Sequence, residues 1–472
     1  MILKQIYNKG LGHASYFVAS KNEAVVIDPI RDTDGYLELQ KRYGVKIKYI
    51  FMTHLYSEML SGHISLAKTT GANIVFGANT VAHFELHKSK DGEQFVFGDL
   101  SIQTILTPGH SVESTSFLLY DTDQNPFALF TGNSMTLAKG ANPDLKSIQA
   151  NKEELAAMFY NSIYNKVFAL PESTLILSST SITQEDIEPA EDLTLGYLKE
   201  NNALFRMRSE GNFMELATKE IAEMPLVFLG LIEKNKNAYE DIESILSTSF
   251  KSISLNDLNK YIREGVAQLL DVRQGERFTL GFIPKSINIG LQGEFEFWAI
   301  RLLDPKKPIL LIAEDESAAQ EAIVKLARVG IENVLGYLDG GFEAWMNSGA
   351  EIDLIIDVEA DEFALDLRFD KMMLPIDVRS IAEYNAGYLK ESQHLPLDRI
   401  VDPLYMSTID DEFHNYVFSG DGYRSVIACS VLKKEGFVDV RNVLGGYKDI
   451  EQQSGIVLML PKTEEEKEND EE

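Results

Sequence analysis

A repeat in the second half of the chain restricts its fold more than any other feature. The segment "QLLDVRQGERFTLGFIPKSINI" (268–289) aligns with "LPIDVRSIAEYNAGYLKESQHL" (374–395), setting Asp271-Val272-Arg273 on Asp377-Val378-Arg379. The copies also close alike, with "NVLGYLDGGFEAW" (333–345) against "NVLGGYKDI" (442–450). A segment that repeats both its opening and its closing is one folding unit used twice. Within each copy, strand-length apolar runs alternate with helix-like patterns, which implies an α/β unit around a parallel sheet. The expected bounds are 251–350 and 358–457, with the acidic "DVEADEFALD" (357–366) linking the copies and opening the second.

The first half, to about residue 245, has a different texture. Strand-length runs occur at "EAVVID" (23–28), "KIKYIFMTH" (46–54), "ANIVFGA" (72–78), "LSIQTILTPGH" (100–110), "TSFLLYD" (115–121) and "PFALFTGNS" (126–134). Several end in turn-forming or polar residues, so loops at one sheet edge can gather His54, His110 and Asn133. Residues 147–170 and 191–245 carry longer patterns expected to be helical. The loop "THLYSEMLSGH" (53–63) has the form of a metal-binding turn at a sheet edge, yet only His54 keeps the ligand rhythm.

Composition narrows the partners. A 472-residue chain is too long for one core, so three domains are expected. The net charge of -29 with no offsetting basic stripe argues against nucleic acid as a partner. Part of that charge lies in an acidic tail, 458–472, expected to be a solvated end. There is no run of 18 apolar residues and no signal-peptide pattern at the start, so no membrane role is expected and the cytoplasm is the expected compartment. The lone Cys429 excludes an internal disulfide and, within "SVIACSVL", reads as a buried inert thiol.

These residues carry a family likeness. Through "GLGHASYFV", "VVIDPIRDTDGY", "THLYSEMLSGH", "TPGHSVESTSFLL", "LFTGNSM" and "NPDL", the first half resembles metallo-β-lactamase-fold proteins, and among them the persulfide (sulfur) dioxygenases. The repeats resemble rhodanese domains through the Asp-Val-Arg openings, "GFIPKSINI", "DGYRS" and the Gly-Gly-aromatic closings. The whole is similar to bacterial dioxygenase–rhodanese fusions. The resemblance implies an α/β architecture: an αβ/βα metallo-β-lactamase-like sandwich followed by two rhodanese-like doubly wound domains. It also makes a homo-oligomer the expected assembly.

The same resemblance locates the sites and shows what they lack. The family's His-x-His-x-Asp-His pattern falls on His54, Tyr56, Glu58 and Met59, its later His on His110, its bridging Asp on Asn133 and its last His on Thr180. The implied iron ligands are therefore His54, His110 and Asn133, with Glu58 a substitute carboxylate only by reaching inward from what is, in the family, a second-metal position. Two imidazoles without an anion are a poor match for ferrous iron, so the expectation is no metal, or iron or zinc below one equivalent. His63, His83 and His87 are expected to be solvated or structural.

In the second repeat Ser419 stands at the rhodanese nucleophile position, with Arg424 five residues on and Asp421 between them. A serine hydroxyl forms no persulfide, and Asp421 sets a negative charge where anions would be cradled. The first repeat has "IAEDESAAQEAI" (312–323) at that loop, with no Cys and acidic residues expected to cap a helix. The expected function is a non-catalytic homologue with a binding, assembly or regulatory role linked to sulfane sulfur, its partner an active paralogue or a sulfane-sulfur metabolite. The competing expectation is a mononuclear non-haem iron dioxygenase or metallohydrolase working through His54 and His110.

Overall fold

A computed structural model describes residues 1–135, 149–180, 191–207, 209–219 and 226–460. The segment "NPDL" (142–145) and the tail from residue 461 lie outside the described residues. The chain divides into two compact units, Met1–Ser244 with Ala327–Gly330, and Ile245–Leu326 with Ile331–Glu472.

In the first unit, β1 (Ile2–Asn8), β2 (His13–Ser20), β3 (Glu23–Ile27), β4 (Lys46–Phe51), β5 (Asn73–Gly77) and β6 (His87–Ser89) form one sheet in that order. A second sheet runs β11 (Leu175–Ser178), β10 (Pro126–Gly132), β9 (Thr115–Tyr120), β8 (Leu100–Leu106), β7 (Gln94–Phe97). Pairing is antiparallel from β1 to β3 and parallel from β3 to β6; the second sheet is antiparallel except for β10 with β11.

Alternation along the strands builds three apolar layers. Tyr16, Val18, Val25, Ile27 and Phe51 meet Phe95, Phe117 and Phe130 between the sheets. The Phe51 and Phe117 ring centroids there are 4.8 Å apart. On the outer face of the first sheet, Phe17, Ala19, Val26 and Ile50 pack with Tyr36 and Leu39 of α1 (Asp34–Tyr43) and Leu66 of α2 (His63–Thr70). On the outer face of the second, Leu118, Leu129 and Ile176 pack with Leu155, Phe159 and Ile163 of α3 (Lys152–Asn165). Helices therefore cover both outer faces, giving the αβ/βα sandwich.

The second unit holds the two repeats apart from Ala327–Gly330, and their sheets have the same topology. Strands Ser252–Ile253, Val334–Leu338, Ile309–Ile312, Gln268–Asp271 and Ile287–Asn288 form a parallel sheet in that spatial order. Ile356–Val358, Val440–Val443, His414–Phe418, Met373–Asp377 and Gln393–His394 reproduce it. The acidic stretch at 357–366 thus belongs to the first strand and helix of the second copy.

The Asp-Val-Arg motif explains why both copies open and close alike. Arg273 folds back on Asp271, with Nη2 2.6 Å from Oδ2, and also donates to the Gly281 carbonyl at 3.0 Å. Its guanidinium lies 4.2 Å from the Phe342 ring centroid, in the closing motif. Arg379 repeats this with Asp377 (2.7 Å), the Gly387 carbonyl (2.8 Å) and Tyr447 (3.6 Å). Arginine suits the place because its rigid fork serves carboxylate, carbonyl and ring together.

One boundary differs from the sequence expectation. Leu458–Met459, counted there with the acidic tail, pairs antiparallel with Tyr388–Leu389, since "IVLML" continues an apolar run before the charged residues begin.

Candidate functional site

The C-terminal ends of β3, β4, β8, β10 and β11 converge on one polar cluster. Asp28 follows β3 with a left-handed φ of 51° and is buried. Its carboxylate accepts from the Thr53 N–H at 2.8 Å and the Thr53 hydroxyl at 2.9 Å, fixing the start of the "THLYSEMLSGH" loop. Since the Thr53 proton is committed to Asp28, the 2.9 Å contact between Thr53 Oγ1 and His54 Nδ1 is donated by His54, which puts the imidazole lone pair on Nε2.

His54 and His110 are brought together, with ring centroids 4.6 Å apart and edge to face. Both are buried. Gly132, at the end of β10, has φ +56°, and a Cβ there would lie 2.2 Å from Thr53 Oγ1 and 3.3 Å from His54 Nδ1. Only glycine lets the strand end pass this close, which sets half-buried Asn133 at the rim of the cluster.

The remaining positions are filled differently. Tyr56 lies against the His54 ring, centroids 4.0 Å apart, and its hydroxyl is 2.6 Å from Ser179 Oγ. Burial, reinforced by the Asp28 charge, pushes the Tyr56 phenol well above its ordinary value, so it stays protonated. Met59 points elsewhere, into the layer beneath α1 and α2. Glu58 is half-buried and near enough to His13 to favour that ring's charged form. Thr180 is exposed, 3.2 Å from Ser178 Oγ. His63 is buried, whereas His83 and His87 are exposed.

Four residues of this cluster escaped the sequence reading. His13 donates from Nε2 to the Asp28 carbonyl at 2.8 Å, and burial lowers its pKa to about 4. Burial raises Asp28 to about 7 against the pull of its Thr53 bonds. Ser179 holds Tyr56. Asn235, from the helix Leu226–Lys236, clamps the loop with four bonds: its amide donates to the carbonyls of Tyr56 (2.9 Å) and Met59 (2.7 Å), and its oxygen accepts from Ser61 N (3.1 Å) and Ser61 Oγ (3.2 Å). Asp28 and His13 lie within the stretches that carry the family likeness, but nothing near Asn235 in sequence marks it.

These side chains do not fit a catalytic iron or zinc. Tyr56 is a neutral phenol engaged with Ser179, and Asn133 offers only an amide. Asp28 is turned to Thr53, and among the described residues no three His, Cys, Asp or Glu side chains are grouped to hold a metal ion. Beside His110 a cavity of about 30 Å³, lined by Leu55, Ser57, Asn79, Glu113 and Lys236 among others, has room for about one water.

The Ser419–Arg424 loop joins strand His414–Phe418 to helix Tyr423–Glu435. Ser419 is fully buried and its Oγ accepts the Gly422 N–H at 3.1 Å, while its carbonyl accepts the Tyr447 N–H at 2.7 Å. The sequence placed Asp421 as the charge opposing anions. The structure leaves Asp421 exposed with Oδ1 3.3 Å from the Tyr423 N–H, and Glu383 meets Arg424 directly through two 2.7 Å bonds. Arg424 holds the Glu383 carboxyl down to about 2. In the first repeat, Asp315 accepts the Ala318 N–H at 2.8 Å and caps helix Glu316–Arg328 as expected. Cys429 is buried, and burial drives its thiol well above the ordinary range.

The rhodanese-like domain model matches residues 254–348 and 359–453. The thiosulfate sulfurtransferase GlpE of Shewanella oneidensis is 30% identical over 103 residues, 22% of this chain and 99% of that protein. The mitochondrial persulfide dioxygenase ETHE1 of Homo sapiens is 26% identical over 180 residues, 37% of this chain and 66% of that protein. The chain thus spans just under two thirds of that relative's length. Among solved structures, a metallo-beta-lactamase from Staphylococcus aureus subsp. aureus COL superposes with a TM-score of 0.61 at 25% identity, covering 71% of this chain and 98% of that one.

Proposed function

Because the chain belongs to the family in which a metallo-β-lactamase-fold domain related to persulfide dioxygenases is fused to rhodanese-like domains, we propose that it is a non-catalytic member with a binding, assembly or regulatory role linked to sulfane sulfur. The observation that carries this reading is Tyr56, at a position where the family pattern has His: a buried, protonated phenol that lies against the His54 ring and is hydrogen-bonded to Ser179. Ser419 supports it separately, since no thiolate exists to carry sulfur at that loop. An active paralogue or a sulfane-sulfur metabolite fits such a role, as do a homo-oligomeric state and a cytoplasmic setting. Among the described residues no helix is long and apolar enough to cross a membrane.

The test is a sulfurtransferase assay on the purified chain with thiosulfate as donor. No turnover above that of a Cys429→Ser control is expected; turnover that this control loses would overturn the reading. A second reading, a mononuclear iron dioxygenase or metallohydrolase, draws on the His54–His110 pair and on the Asp28–Thr53–His54 chain, which still orients one imidazole as a ligand would need. Metal content separates the two.

A further inference from the structure

The helix Tyr423–Glu435 presents Tyr423, Val426, Ser430 and Lys433 along one side, at the three-and-four spacing of a single helix face. That face lies against the first rhodanese-like module and its C-terminal connection. The Tyr423 hydroxyl donates to the Gly290 carbonyl at 2.9 Å. A Cβ on Gly293 would lie 2.1 Å from Tyr423 Cζ, so the ring is seated on the bare backbone of that glycine. Val426 abuts Gly275, where a Cβ would sit 3.2 Å from its nearest methyl. Ser430 Oγ accepts the Asn288 N–H at 3.0 Å, and Lys433 Nζ lies 3.0 Å from Asp353 Oδ1.

Tyr423 is also part of the Ser419–Arg424 loop, next to Arg424 and following Gly422, whose N–H is held by Ser419 Oγ. We propose that Tyr423 makes this loop a coupling element between the two rhodanese-like modules, so that the loop backbone and the module–module joint move as one. The Gly422 N–H is turned to Ser419, Arg424 is neutralised by Glu383, and Tyr423 is pinned in the neighbouring module. These three groups are each engaged in holding the joint or the loop itself. Burial raises the Tyr423 phenol, which keeps the proton it donates.

Coupling of this kind is reciprocal, and that is the basis of the test. Hydrogen exchange would be followed in the full-length protein for amides 286–294 and 419–425. Tyr423→Ala should speed exchange at 286–294, in the other module, by about tenfold or more, and Tyr423→Phe should do so to a smaller extent. Gly293→Ala, which leaves the loop sequence untouched, should speed exchange at 419–425. Unchanged exchange across the joint in both Tyr423→Ala and Gly293→Ala would overturn the proposal. So would a change confined in each variant to the substituted module. If Tyr423→Ala fails to fold, Gly293→Ala and Tyr423→Phe still decide the matter. Sulfurtransferase turnover would overturn the functional reading above without affecting this result.

Discussion

His63 lies in the core of the first unit with its ring centroid 4.9 Å from Phe84 and 5.7 Å from Phe76, and burial holds its pKa at about 3. In the unfolded chain it titrates near 6.5. Between these values the unfolded state binds more protons, so His63 lowers stability as pH falls from 6.5 toward 3, by roughly 1–2 kcal/mol at pH 5. His13 acts in the same direction down to about 4. Asp28, raised to about 7, acts oppositely, its cost growing as pH rises from 3.8. Replacing His63→Gln should flatten the dependence of melting temperature on pH between 6.5 and 4; an unchanged slope would show that the histidine is not held neutral. Single residues with a recognisable chemical role, such as His54, His110 and Ser419, were legible in the sequence. Glu383 was not, because its partner Arg424 lies 41 residues away and its own surroundings read as an ordinary Ser380–Glu383 capping box.

The "THLYSEMLSGH" loop is an element fixed along its length by buried hydrogen bonds. It is held by Asp28 at its start, by Ser179 at Tyr56 and by Asn235 at Tyr56, Met59 and Ser61. Removing Asn235 leaves two buried carbonyls and a buried N–H without their partner. Asn235→Ala should therefore cost about 2–4 kcal/mol, read as a lower denaturant midpoint. A loss below about 0.5 kcal/mol, the scale of an ordinary surface substitution, would mean that the loop holds itself. Strands with a clear apolar run were visible in advance: β3, β4, β5, β8, β9 and β10 all fall within the runs read from sequence. β2 was missed because all eight of its residues are buried, on both faces, so "HASYFVAS" shows no alternation. β6 and β7 are only three and four residues long, too short for a periodicity to register.

At the scale of the whole chain, the architecture was legible because the repeat and the order of family motifs constrain it jointly, whereas the chemistry rests on a few side chains whose surroundings no sequence pattern specifies. The central claim is that the metallo-β-lactamase-like site has become a packed polar cluster. Asn133→Asp would restore one carboxylate beside His54 and His110 while leaving Tyr56 on Ser179. The deciding measurement is elemental analysis of the wild type and Asn133→Asp, each expressed with added iron and desalted. Iron and zinc well below one equivalent per chain are predicted for the wild type, with iron rising in Asn133→Asp because two imidazoles and one carboxylate are the set ferrous iron takes. A full equivalent of iron in the wild type, lost in His110→Ala, would contradict the account and establish a metal site built on these histidines.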